Sequence, residues 1–162
     1  MENYIVINGK KTELTEAQLR QLGIEVKKEN PFERALKEEA YFYISCTGDV
    51  STGKEYRHDI DKRVSDVANY CTNRELIEQR ALHEILNRLL WRLACENGEL
   101  ENEWNGVNYH FEVFFDENEQ EFKTQYKMAT HTFGPFFPTK DVAEKAIGII
   151  RRFMEEHPGF IW

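Results

Sequence analysis

The sequence predicts an α+β fold, with antiparallel sheet supplied by two β-meander-plus-helix units and a small β-hairpin–helix unit ahead of them. Three observations predict it. Aromatic, β-prone runs recur at 41–45 and 109–115. Two later stretches change to helical spacing of their apolar residues. The order strand, turn, weaker strand, polar loop, capped helix then occurs twice, with 31 residues from Tyr41 to Thr72 and 30 from Tyr109 to Thr139. The two halves share this pattern rather than their letters. Such short periods signal supersecondary units that bury their apolar faces on one another.

The elements follow in order. Residues 4–11 read as a strand closed by the Asn8-Gly9 turn, with 12–14 as its return strand. Thr15 and Gln18 form a capping box for a short helix, Leu14 and Leu19 are placed as its staple, and Gly23 stops it. This N-terminal unit spans 1–24. Residues 25–40 are charged and contain Pro31, which marks a connector with a helical turn after Asn30. The main domain spans 41–162 and holds the related units at 41–98 and 107–157. Its first unit reads as a strand at 41–45, a turn at Thr47-Gly48-Asp49, a second strand at 50–56, a loop at 57–63 and a third strand at 64–71. A capping box from Thr72 to Glu75 opens a long helix, whose apolar positions run from Leu76 to Ala94 and which Asn97-Gly98 ends. The second unit reads as strands at 109–115 and 121–128 around the turn at 116–119, a further strand at 132–137, and a helix capped by Thr139. Pro158-Gly159 ends that helix, leaving Phe160, Ile161 and Trp162 to dock back on the core.

Composition narrows the function classes. At 162 residues with 41% hydrophobic content, the chain suffices for one core without disulfides or a structural metal. The net charge of -8 opposes binding to phosphate backbones, so direct nucleic-acid binding is disfavoured. No run approaches a membrane span, and the N-terminus lacks the basic and apolar regions of a signal peptide, so a host-cell cytosolic location is expected. Cys46, Cys71 and Cys95 have no paired spacing; Cys71 and Cys95 read as small core residues.

Motifs for catalysis fail one by one. His83-Glu84 begins like a zinc-hydrolase helix, but Asn87 stands where the second histidine belongs. Cys71, Ser45 and Ser51 are available nucleophiles without a matching motif, although Cys71 sits at a helix entry. Thr52-Gly53-Lys54 lacks the spacing of a phosphate-binding loop, and Lys54, Arg57 and Arg63 offer at most a weak anion site. No catalytic, cofactor-binding or metal-binding residue is assigned, and no enzymatic activity is expected. The remaining signal is acidic clustering around Trp104. Glu99, Glu101, Glu103, Asp116, Glu117 and Glu119 read as one acidic and aromatic interaction surface with Trp104 as its anchor.

The run 41–93, centred on ANYCTNRELIEQRALHEILNRLLWRL, resembles uncharacterised proteins encoded by Firmicutes phages and prophages. The segment GPFFPTKDVAEKAIGII is similar to the aromatic, Thr-Lys, acidic, Ala-Glu-Lys-Ala segment that those proteins repeat. The likeness spans 41–155, implies a phage or mobile-element origin and brings no catalytic residues with it. Small phage proteins of this sort are often accessory factors, anti-CRISPR proteins among them. The expected function is therefore non-enzymatic inhibition or modulation of a host defence protein, with a nucleic-acid-binding effector as partner. Sequestration of a nucleotide signal around residues 57–63 is the alternative, as is a nucleic-acid-associated accessory role.

Overall fold

A computed structural model describes residues 4–7, 10–23, 30–128 and 134–162. The fold is α+β. Strands β1 (Tyr4–Ile7) and β2 (Lys10–Glu13) pair antiparallel, and helix α1 (Glu16–Gln21) follows. The Asn8-Gly9 turn lies outside the described residues. Thr15 and Gln18 form the expected capping box: the Thr15 amide donates to Gln18 Oε1 at 2.9 Å and the Gln18 amide donates to Thr15 Oγ1 at 3.4 Å. Gly23 closes the helix at φ +73°, a conformation that a Cβ disfavours.

The first half of the main domain contains β3 (Ala40–Ile44) and β4 (Val50–Lys54), paired with Phe42 opposite Thr52. Two differences from the sequence reading follow. The expected loop at 57–63 begins an eight-residue helix, α2 (Asp59–Asp66), which also takes the start of the expected third strand. What remains of that strand is a single bridge, in which Phe42 and Cys71 exchange N–H···O bonds of 2.7 and 2.9 Å. The physical reason is Asp61. Its buried carboxylate accepts the amides of Tyr56 (2.9 Å) and His58 (3.0 Å), which seeds a helical first turn.

Helix α3 (Arg74–Glu96) is 23 residues, about 34 Å long. Its cap is Asn73 rather than Thr72: Asn73 Oδ1 accepts the Leu76 amide at 3.0 Å, while the Thr72 hydroxyl donates to the Pro31 carbonyl at 3.1 Å. A short 3-10 turn, Glu99–Glu101, comes next. Strands β5 (His110–Asp116) and β6 (Glu121–Lys127) then pair with Phe115 opposite Phe122. Residues 132 and 133 of the expected third strand lie outside the described residues, and Phe137 makes one bridge to Phe111 with two 2.8 Å bonds. Helix α4 (Lys140–Glu156) is capped as expected, with Thr139 Oγ1 accepting the Val142 amide. Among the described residues the sheet is thus three separate two-stranded pairs.

The core divides along α3. Near its start, Ile77 and Ala81 pack with Ile44 and Cys71. Further along, Leu86, Leu90 and Ala94 join Phe122, Phe137 and the apolar face of α4, including Ile150 and Phe153. Phe160 of the C-terminal segment is buried in this second cluster, whereas Ile161 and Trp162 are exposed. No helix among the described residues is long and apolar enough to cross a membrane.

Candidate interaction site

Buried ionisable groups are the first place to look for chemistry, and they fall into two constellations. The first lies under β4 and α2. Glu55, 0% exposed, accepts both Nε (3.1 Å) and Nη2 (2.7 Å) of Arg34, the Tyr70 hydroxyl (3.0 Å) and the Arg57 amide (2.7 Å). Tyr70 in turn accepts the Ala35 amide at 2.8 Å. Next to it, Tyr41 stacks on Tyr70 with ring centres 4.2 Å apart and donates to Asp61 Oδ1 at 3.1 Å. Burial pushes both carboxyls upward. The Arg34, Arg57 and Tyr70 hydrogen bonds outweigh it at Glu55, and the Tyr56 and His58 amides with the Tyr41 hydroxyl outweigh it at Asp61, so both sit below their ordinary values. Burial and the neighbouring carboxylates push Tyr41 and Tyr70 up to about 12. Each carboxylate oxygen has a partner. This network ties the segment after Asn30 to β4 and α2.

It also uses one of the three cations assigned to a weak anion site: Arg57, held at φ +63°, spends Nη2 on the Ala35 carbonyl at 3.1 Å. Cys71 is fully buried, its thiol donating to the Asn73 carbonyl at 3.2 Å.

The second constellation sits where α3 hands over to β5. His110 is 0% exposed, and its Nδ1–H donates to Glu99 Oε1 at 2.7 Å. Trp104 lies flat on the imidazole, 3.4 Å between ring centres and 11° from parallel, and meets Phe136 edge-on. The Asn102 amide donates to the Tyr109 carbonyl at 3.0 Å. Together these contacts fold the acidic connector 97–108 back over the end of the β5–β6 hairpin. Among the described residues, no group of three or more His, Cys, Asp or Glu converges to hold a metal ion.

The structure rearranges the expected acidic surface. Glu99 is only 6% exposed and is committed to His110, so it leaves that surface. Trp104 is half-buried, with one face spent on His110. Glu101 and Glu103 are exposed beside it. Asp116, Glu117 and Glu119 lie at the opposite end of β5, about 20 Å away at ~3.4 Å per residue. There Asp116 organises the hairpin turn: it accepts the Asn118 and Glu119 amides and Lys123 Nζ at 2.9 Å, which holds its carboxyl below the usual range. Lys123 also pairs with Glu119 at 2.7 Å, and these two carboxylates hold its ammonium above its usual value. One expected surface is therefore two, and the distant one is partly neutralised.

The near end gains residues the sequence reading passed over. Leu100 is 74% exposed and Val107 71%, with Trp91, Tyr109 and Tyr126 also open to solvent. Tyr109 and Tyr126 meet edge to face at 5.0 Å. Trp91 and Leu100 flank a concavity of about 340 Å³ whose wall includes Glu103 and Trp104. Leu100 and Val107 were visible in the sequence as isolated apolar residues inside an acidic loop, which is the signal that would have found them. Comparison with family models, curated proteins and solved structures returned no match.

Proposed function

We propose that the chain is a non-catalytic binding protein that blocks or modulates a protein partner through the end of the domain formed by Trp91, Leu100, Glu101, Glu103, Val107 and Tyr109. The observation that carries this reading is the exposure of Leu100 and Val107 beside the exposed carboxylates of Glu101 and Glu103, on a connector pinned down by the His110–Glu99 bond and the Trp104 stack. An exposed apolar group on a held backbone loses little conformational entropy on association, which suits an interface anchor. The surrounding carboxylates select a basic surface, such as that of a nucleic-acid-binding effector. The sequence likeness to phage accessory proteins supports taking that effector from host defence.

The test mixes the protein with purified host DNA- and RNA-cleaving effectors and follows complex formation by gel filtration and calorimetry. A stoichiometric complex is expected, weakening about tenfold between roughly 0.1 and 0.5 M salt. Leu100→Ala and the double reversal Glu101→Lys/Glu103→Lys should each weaken it by at least about tenfold, whereas Glu117→Lys at the far end should leave it intact. Absence of any complex across the panel, or sensitivity only to Glu117→Lys, would sink the proposal.

A further inference from the structure

A second concavity runs along the middle of α3 and adjoins the first at Gly134 and Phe136, which line both. It has a volume of about 440 Å³, within the range of small-molecule sites. Leu86, Leu90 and Val113 line it together with Phe136, Phe137 and Trp162. The charged groups at its rim are already engaged inside the molecule. Arg80 is bonded to Glu84 at 3.1 Å and to the Ala68 carbonyl, Glu84 also takes Arg88 at 3.2 Å, and Glu112 accepts Lys127 at 2.7 Å. A charged ligand would have to break these pairs or be covered without a counter-charge, and an anion would meet two carboxylates. An uncharged ligand faces neither cost.

Two polar rim groups, His83 and Asn87, are exposed and have side chains with no hydrogen-bond partner among the described residues; the His83 ring is set against Phe160 at 4.6 Å, which leaves Asn87 as the rim amide. Its side chain offers a donor and an acceptor side by side, which is the complement of an amide or lactam edge. Among the aromatic residues of the groove, Trp162 is exposed and supplies flat apolar surface for a ring, while Phe136 and Phe137 are buried and contribute little accessible area.

We propose that this groove binds a small uncharged aromatic molecule bearing an amide or lactam edge, with the ring against Trp162 and the edge paired with Asn87. The site does not depend on the protein-binding reading, since Asn87 and Val113 lie outside the acidic end.

Oxindole is the probe, with N-methyloxindole (no lactam donor) and indane (no polar edge) as controls, and binding is followed by amide chemical shifts of the full chain. Oxindole should bind with a Kd of about 1 mM, moving the signals of Asn87, Val113 and Phe137. Both controls should bind about fivefold more weakly. Asn87→Ala, an exposed helix position where alanine preserves the helix, should weaken oxindole about fivefold and leave indane unchanged. Val113→Trp should fill the groove and abolish binding of all three. The proposal is overturned if these signals stay still at several-fold higher oxindole, or if oxindole and indane bind equally and Asn87→Ala changes neither. The latter result would mark the groove as a plain apolar surface. Asn87→Ala decides the matter even if Val113→Trp fails to fold.

Discussion

Replacing Tyr70 by Phe removes one oxygen from the buried network and nothing else of size. The ring stays, and with it the stack on Tyr41 at 4.2 Å. Two hydrogen bonds are lost: the one Tyr70 accepts from the Ala35 amide at 2.8 Å and the one it donates to Glu55 at 3.0 Å. Ala35 is fully buried, so its amide is left unsatisfied at about 1–3 kcal/mol. Glu55 keeps Arg34 and the Arg57 amide but loses a charge-assisted bond worth about 1.5–3 kcal/mol. Since these terms overlap, the expected loss is about 3 kcal/mol, or roughly 6–12 °C in Tm for a chain of this size. Urea unfolding at pH 7 measures it, with an unchanged slope showing that the compactness of neither state has moved.

The same variant carries a pH signature. Tyr70 is raised from 10.0 to about 12 in the folded protein. A raised pKa means that the unfolded chain ionises first, so the associated stability is complete below pH 10.0 and is lost as pH climbs through about 12. At about pH 11 the wild type should already have lost on the order of 1.4 kcal/mol of it. The gap between wild type and Tyr70→Phe should therefore shrink by that amount. A loss below about 0.5 kcal/mol at pH 7, or a gap that is identical at both pH values, refutes this account of the network.

Other outcomes follow from the same geometry. Glu55 and Asp61 sit below their ordinary values of 4.5 and 3.8, so their contribution is present above those values and disappears as pH falls through the lower folded ones; Asp61→Asn should flatten this acid limb in a pH series of urea midpoints. A Cβ at Gly53 would lie 2.5 Å from Tyr41 Cζ, so Gly53→Ala should cost about 1–3 kcal/mol in chemical unfolding and disturb the Tyr41 ring signals. Ile150→Ala empties a fully buried position in the cluster that α4 shares with α3 and the β5–β6 hairpin, and calorimetry should show a loss of about 3–4 kcal/mol. Trp104→Ala uncovers the His110–Glu99 pair, so amide exchange should accelerate across 99–108 while α4 stays protected.

How far the sequence could be read depended on whether a signal was local. The Thr15 and Thr139 caps, the hairpins and both long helices rest on contacts within four residues or on apolar periodicity, and they stand where the spacing put them. Helix α2 was missed because its nucleus is a carboxylate that is charged in sequence and buried in the fold. Asp61 in Arg57–Arg63 looks like solvated loop until Tyr41, twenty residues earlier, supplies its partner. The acidic surface failed for a related reason. Glu99 has the same appearance in sequence as Glu101, and only its meeting with His110, eleven residues on, takes it inside. In both cases a partner outside the local turn, twenty residues away for Asp61 and eleven for Glu99, decides that the carboxylate is buried, although the His58 and Tyr56 amides that Asp61 caps are local.

The repeat explains where unspent apolar surface should accumulate. In each unit a hairpin strand makes one bridge to the residue two positions before a helix cap: Phe42 to Cys71 before Asn73, and Phe111 to Phe137 before Thr139. Each bridge delivers its helix onto its hairpin, so Ile77 and Ala81 of α3 share a cluster with Ile44, while Val142, Ala146 and Ile150 of α4 share one with Phe122. Helix α3 then serves both halves, its later residues joining the α4 cluster. The faces of hairpins and helices are consumed in this way. The connector 97–108 lies between the units and spends one aromatic residue, Trp104, on His110 and Phe136. Leu100 and Val107 nevertheless stand there, exposed on a backbone fixed by Glu99, Asn102 and Trp104. The partner surface proposed above is what would cover them, and the loss of binding in Leu100→Ala is the outcome that tests it.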